Sequence, residues 1–454
     1  MPLEAPVMRT VLPARRMKEG KGRRKKRSRR GKGITSARFA VGCKMFWRPM
    51  IGAAEEREGR GDSCHRGGRS NNSRVQRSGA MSDYFLADDL SGALDAAAAF
   101  HRAGRRVRVV LSPAAWGEAS EGEVVGLTTE TRNAAPAAAA AMVAEALAQG
   151  QARGARLCFK KIDSTLRGPV AAELGALAAA LAEARILFCP ANPSVGRTVR
   201  AGVLRVHGVP VAETEFARDP VNPVTESVIA RLLGTTWISR IEVPDAETAS
   251  DLAEAVARME GTRVPWVAVG SGALARPVAA RMARPPAEVR LQDRSIPAGP
   301  VLMVGGSAHR LTREQAQHWA EVGGVPLREV RVAAGGPAVS AAREDLRTRG
   351  AAALVPEVVR GDSAVVLRAI TAAAKEVAVT AGVRRVFVTG GETAFALCRA
   401  LEISSLMFLA EIESGLSLSR GRSPEGEWLL AVKPGGFGAA DSWVKACRSL
   451  SGAR

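Results

Sequence analysis

The chain has 454 residues, 46% hydrophobic and 24% charged, which suits a soluble globular protein of two or three domains. No apolar run reaches the about 20 residues of a membrane helix, so a membrane-spanning role is not expected. The formal net charge of +20 is local: residues 1–80 hold 22 Lys and Arg against 6 Asp and Glu, and the remainder hold 43 against 39.

Residues 1–80 include the cationic run Lys-Gly-Arg-Arg-Lys-Lys-Arg-Ser-Arg-Arg at 21–30. Such a run can release counterions from a nucleic-acid backbone or serve as a nuclear signal. Against that, the segment has no sustained helical or strand period and is rich in Arg, Gly and Ser, so it has no means of burying a core. It lacks the apolar stretch of a secretory signal, and Glu55, Glu56 and Glu58 are foreign to a transit peptide. We expect a disordered leader outside the native protein, with translation starting at or near Met81. The balanced remainder, with 4% aromatics and a single Tyr, offers little stacking surface, so no nucleic-acid partner is expected.

From Met81 the chain alternates strands and helices. Strands are expected at 84–87, 106–111, 124–128, 156–160 and 185–189, with helices at 92–102, 137–149 and 169–183 between them. Further strands at 241–243 and 266–269 flank a helix at 247–259. This βαβ alternation implies a parallel sheet covered by helices. A proline-rich stretch at 282–299 reads as a linker. A second series follows: strands at 301–304, 326–332, 385–389, 406–411 and 428–432, with helices at 312–322, 364–380 and 392–401. The expected architecture is α/β with two lobes, each a mainly parallel sheet flanked by helices, and an active site in the cleft between them. The expected domains are 81–281 for substrate and 300–445 for nucleotide.

The chemistry-bearing segments sit after strands, where α/β sheets place ligands. Ala-Asp-Asp-Leu-Ser-Gly-Ala at 87–93 offers two carboxylates at a helix start. Asp89 is the better helix cap and Asp88 the better ligand, although the choice of proton acceptor between them stays open. Lys-Lys-Ile-Asp-Ser-Thr-Leu-Arg-Gly-Pro at 160–169 packs three cations, a carboxylate and two hydroxyls into eight residues, a set suited to an acidic polyol. Pro-Ala-Asn-Pro-Ser-Val-Gly-Arg-Thr at 190–198 and the proline-rich 216–227 suit rigid pocket walls. In the second series Gly305-Gly306-Ser307, Thr389-Gly390-Gly391-Glu392-Thr393 and Lys433-Pro434-Gly435-Gly436-Phe437-Gly438 are glycine turns whose backbone N–H groups can approach phosphate. Glu413-Ser414-Gly415 could add a wall. The five His are scattered, and the Cys of the main body form no CxxC pair, so no metal site is expected and the thiols read as reduced.

Taken in order, ADDLSGA, KKIDSTLRGP, PANPSVGRT, ARDPVNPVTES, GGET and KPGGFG resemble the four-carbon acid sugar kinase family, over about 81–442. The resemblance implies a cytoplasmic enzyme with an N-terminal substrate domain and a C-terminal nucleotide domain, with homodimerisation allowed. It implies ATP-dependent phosphorylation, with Mg²⁺, of the terminal hydroxyl of D-threonate, D-erythronate or a 3-oxo-tetronate. It places substrate on Asp88, Asp89, Arg132, Lys161, Asp163, Ser164, Thr165 and Arg167, with Asp88 catalytic. It places nucleotide on Ser307, Gly390, Gly391, Glu392, Thr393, Gly435 and Gly436. Three positions depart from the family pattern: Ser91 stands where Thr is usual, Gly306-Ser307-Ala308-His309 replaces a Gly-Ser-Cys-Ser-like turn, and Ser414-Gly415-Leu416-Ser417 replaces Pro-Gly-Val-Pro.

Overall fold

The computed structural model describes residues 82–283, 298–332, 336–357 and 362–452. The leader and most of the expected linker lie outside the described residues.

The first series opens with β1 (Asp83–Ala87), α1 (Leu90–Arg102), β2 (Val107–Val110), β3 (Val124–Thr128), α2 (Pro136–Ala152), β4 (Arg156–Lys161), α3 (Val170–Ala180) and β5 (Arg185–Cys189). It continues through β6 (Arg197–Arg200), β7 (Val203–Val206), β8 (Val209–Pro210), α4 (Ile229–Leu233), β9 (Ile241–Glu242), α5 (Ala249–Glu260), β10 (Trp266–Gly270) and α6 (Gly272–Arg281). The second series is β11 (Val301–Gly305), α7 (Arg310–Gly323), β12 (Leu327–Val330), α8 (Gly336–Arg349), β13 (Ala351–Pro356), α9 (Ser363–Thr380), β14 (Arg385–Thr389) and α10 (Gly391–Ala400). It ends with β15 (Ser405–Glu413), β16 (Leu416–Ser423), β17 (Gly426–Lys433) and α11 (Ser442–Ser451).

β1 is buried along its whole length, as a central parallel strand must be, and pairs in parallel with β3 and β4. Phe85 stacks on Phe100 of α1 with ring centroids 5.3 Å apart, which docks the helix over the strand. Gly126 on β3 leaves room for that ring, since a Cβ there would lie within 2.7 Å of Phe85 Cε2.

The two series were expected to form separate sheets. The structure joins them into one 14-stranded sheet, ordered β12-β13-β11-β14-β17-β16-β15-β2-β3-β1-β4-β10-β5-β9. The seam is the antiparallel pair of β15 with β2. An unpaired β2 would leave a row of open backbone groups, and β15 satisfies them. Apart from β16, the second-series strands run opposite to β2, β3 and β1 across this seam. β1 and β14 are six strand steps apart, and a twist of about 20–25° per step accumulates to roughly 120–150°. That rotation turns opposed strand ends toward a common side, where α1 and α10 begin.

Several elements were not expected from the sequence. β6, β7 and β8 form a separate three-stranded sheet inside the proline-rich walls of the first series. α6 carries Pro277 within it, which argues against helix locally and is overridden by packing on α1 and α5. The Ala-rich β13 has no alternation to betray it, because both of its faces are covered.

Candidate active site

β1 ends at Ala87, and the next two residues divide the work as the sequence suggests. Asp89 is the N-cap of α1, accepting from the Gly92 amide at 2.7 Å and from the Ser91 hydroxyl at 2.5 Å. The hydroxyl that Ser91 shares with the more usual Thr therefore fixes the cap. Asp88 has no capping task. Arg132, just past β3, binds both carboxylates: Nε and Nη2 donate to Asp88 at 2.8 and 2.9 Å, Nη1 and Nη2 to Asp89 at 2.7 and 2.8 Å. Burial alone would raise the Asp88 carboxyl, but the charges of Arg132, Lys160 and Lys161 outweigh it and hold it below the ordinary carboxylate range. Arg132 thus spends four donations on the aspartates and keeps one N–H for another partner.

The 160–169 loop divides into structural and open groups. Lys160 forms a buried ion pair with Glu173 of α3 at 2.9 Å, and Thr131 donates to the same carboxylate. Lys160 therefore anchors the loop. Lys161 Nζ donates to the Ile162 carbonyl at 3.1 Å and lies 3.7 Å from Asp95; it faces Gly92, beside Asp88. Asp163 is held by Arg167 in a two-point pair at 2.9 and 3.0 Å and accepts from the Thr165 amide and hydroxyl. Ser164 receives a hydrogen bond from Arg197. Gly168, at φ 93°, packs against the Arg132 backbone, where a Cβ would meet the Arg132 carbonyl oxygen at 2.9 Å. So Asp88, Asp89, Arg132 and Lys161 converge, while Asp163, Thr165 and Arg167 chiefly shape the loop beside them.

Sequence reasoning missed Glu130. It takes φ 51°, unusual for a residue with a side chain, and its carboxyl accepts from Thr128 Oγ1 at 2.5 Å. Burial and the nearby Asp89 charge push it up to about 8, against the smaller opposing effects of Thr128 and Arg132. The available signal was a third carboxylate two residues before Arg132. The unfolded chain ionises Glu130 near the ordinary 4.5 and the folded one near 8, so this group lowers stability as pH rises between those values. Glu130→Gln is expected to match wild type at pH 5 and to exceed its Tm by roughly a few degrees at pH 8. Thermal melts across that range check it.

On the second side, three turns meet. The Gly390 amide donates to the Lys433 carbonyl at 2.8 Å, and the Gly306 amide to the Thr389 carbonyl at 3.1 Å. A Cβ at Gly435 would collide with Ser307, and one at Gly306 with Thr393. Ser307, Gly390, Thr393 and Gly435 therefore form one cradle. Gly436 faces His309, whose Nδ1 accepts from the Leu311 amide at 3.2 Å and caps α7, while Glu392 points outward and is exposed. Gly390, at φ 98°, offers no side chain to cap α10, so the first amides of that helix are open to an anion. Thr389 Oγ1, buried beneath the turn, has no protein partner. This cradle of backbone N–H groups and small hydroxyl side chains fits phosphate groups.

The two halves touch at Gly391. A Cβ there would lie 2.6 Å from Asp89 Oδ2 and 2.9 Å from Ser91 Oγ. The carboxylate pair thus abuts the phosphate-cradling helix start. Among the described residues, no group of three or more His, Cys, Asp or Glu is arranged to hold a metal ion, and no helix is long and apolar enough to cross a membrane.

The site thus sets a cluster of carboxylates and cations from the first series against a donor-rich cradle from the second, the layout of a two-part α/β enzyme. Residues 84–242 match the family model of a sugar-binding N-terminal domain, and residues 302–442 that of a nucleotide-binding C-terminal domain. The chain is 34% identical to a D-threonate kinase of Bordetella bronchiseptica, covering 80% of this chain and 96% of that protein. It is 32% identical to a D-threonate kinase of Cupriavidus necator, covering 82% and 99%. It is 29% identical to a 3-oxo-tetronate kinase of Pseudomonas savastanoi pv. phaseolicola, covering 81% and 97%. A solved structure from Salmonella typhimurium LT2 shares the fold, with a TM-score of 0.66 at 21% identity over 81% of this chain and 99% of that one. The chain belongs to the four-carbon acid sugar kinase family and is a phosphotransferase.

Proposed function

We propose that this enzyme transfers the γ-phosphoryl group of ATP to the terminal (4-) hydroxyl of a four-carbon sugar acid, D-threonate or D-erythronate. Two relatives above 30% identity, each matched over nearly its whole length, are named D-threonate kinases, which favours that acceptor over a 3-oxo-tetronate. The observation that carries the reading is the contact of Gly391 with Asp89 and Ser91, which sets acceptor-orienting carboxylates against a phosphate cradle.

In this reading 81–281 is the substrate domain and 300–445 the nucleotide domain. Lys161 and the remaining N–H of Arg132 hold the substrate carboxylate, and Ser164 lines the sugar while Thr165 holds the loop through Asp163. Asp88 orients the terminal hydroxyl and takes its proton as the new ester forms; Asp89, fixed as a cap, keeps Arg132 in place. Ser307, Gly390 to Thr393, Gly435 and Gly436 surround the nucleotide phosphates. ATP would supply the phosphoryl group beside the Ser307, Gly390 and Gly435 cradle, and Mg²⁺ would offset the phosphate charge there. The chain's own contribution is positioning and exclusion of water. We place the enzyme in the cytoplasm, acting as a monomer or homodimer on small molecules.

An ADP-release assay across a panel of C4 sugar acids, with ³¹P NMR of the product, tests this. Turnover of D-threonate or D-erythronate to a terminal phosphate ester is expected. ADP release that ignores the acceptor, or preference for a sugar without a carboxylate, would sink the reading.

A further inference from the structure

The 190–198 and 216–227 segments hold none of the groups assigned to substrate or nucleotide, yet a contact between the two halves of the site runs through them. Arg197, the first residue of β6, donates through Nη1 to Ser164 in the substrate loop. Its guanidinium carbon also lies 5.6 Å from the ring centroid of Phe216 and 5.5 Å from that of Phe437. Both distances are within cation–π reach. Phe437 belongs to the glycine turn after β17, and its carbonyl accepts from Lys433 at 2.8 Å and Gln315 at 3.1 Å. Its ring rests on Gly415, where a Cβ would lie 3.0 Å from Cδ1. Ser164 sits between Asp163 and Thr165, which are locked to each other. One guanidinium therefore touches a residue in each half of the site.

We propose that Arg197 is a positioning residue that couples the substrate loop to the nucleotide loop through Phe437, so that each ligand strengthens binding of the other. The proposal rests on the kinase reading for the identity of the ligands but not for the contact itself. A nucleotide that orders the 435–438 turn fixes Phe437, which fixes Arg197, which orders Ser164. By linkage the substrate must act on the nucleotide to the same degree. Arg rather than Lys is required, because a planar guanidinium can meet two rings and a hydroxyl together and an ammonium has no such face.

Hydrogen exchange of the full chain with and without ADP tests the contact directly. In wild type, ADP is expected to protect both 435–438 and 161–168. In Arg197→Lys and Phe437→Leu it should protect only 435–438, and Phe437→Trp should restore protection of both. The same variants should abolish the tightening of D-threonate binding by ADP, about 5-fold or more in wild type. Protection of 161–168 that persists in both variants, or is missing in wild type, overturns the proposal. If the exchange pattern appears as expected but no C4 acid is phosphorylated, the coupling stands and the substrate assignment falls.

Discussion

Asp88→Asn is expected to lower kcat on the acceptor sugar acid by about 10²–10⁴-fold, the usual worth of a positioned proton acceptor. Asn keeps the shape and one acceptor oxygen for Arg132 but has no basicity. Asp88 is held below the ordinary carboxylate range by Arg132, Lys160 and Lys161 against the opposing effect of burial, so it is ionised throughout the working pH range. A weak base suffices, because a loose phosphoryl-transfer transition state releases the hydroxyl proton late. The control is Asp89→Asn. It removes the same unit of charge from the same Arg132 and keeps the cap, since Asn caps a helix about as well as Asp. We expect it to cost less than about 10-fold in kcat. Steady-state kinetics of the pair, with circular dichroism to check folding, decides the roles. Equal losses would mean that both carboxylates act only through Arg132, and the reverse order would give proton transfer to Asp89.

The strand-to-helix turns were legible in the sequence, because each joins a buried run to a breaker or a cap within about ten residues. Asp89 caps α1 as its position implied, and Gly390 opens α10 with the left-handed backbone that a side chain would oppose. What stayed hidden depends on residues far apart. Arg132 looked free to grip a ligand, yet 43 and 44 positions separate it from the aspartates that occupy most of its donors. Glu130 is marked by its backbone angle and buried surroundings, and no residue type announces either. Arg197 looked like part of a pocket wall because its partners, Ser164, Phe216 and Phe437, come from three other segments. The seam between β2 and β15 is likewise a pairing between distant strands, and alternation along either one carries no record of its neighbour.

Lys433 sets the largest effect expected on the nucleotide side. Its ammonium is fully buried and donates to the carbonyls of Pro434 at 2.9 Å and Phe437 at 2.8 Å, with Gly435 at 3.5 Å. A glycine-rich turn has little intrinsic preference for one shape, so these bonds impose the conformation that presents Gly435 to Ser307. Lys433→Met fills the same space and removes these donations, each worth about 0.5–1.5 kcal/mol, while the Phe437 amide, Thr312 and Gln315 still bond the same carbonyls. If the worth of one such bond falls on the nucleotide-competent shape, the ATP KM rises by about 2–10-fold, and larger losses follow if the turn reorganises fully. The pH dependence has a definite sign. Burial lowers Lys433 to about 8, with Glu413 opposing. Below that value the charged ammonium holds the turn, and above it the neutral amine has one fewer N–H and weaker bonds. The ATP KM of wild type should therefore rise as pH passes from 7 to 9, while that of Lys433→Met stays flat. For folding the sign is the opposite. The folded chain loses its Lys433 proton near 8 and the unfolded one near 10.5, so stability from this group increases over that interval. An ATP KM that climbs while the Tm of wild type gains on Lys433→Met would separate a loop-shaping cation from a merely buried one.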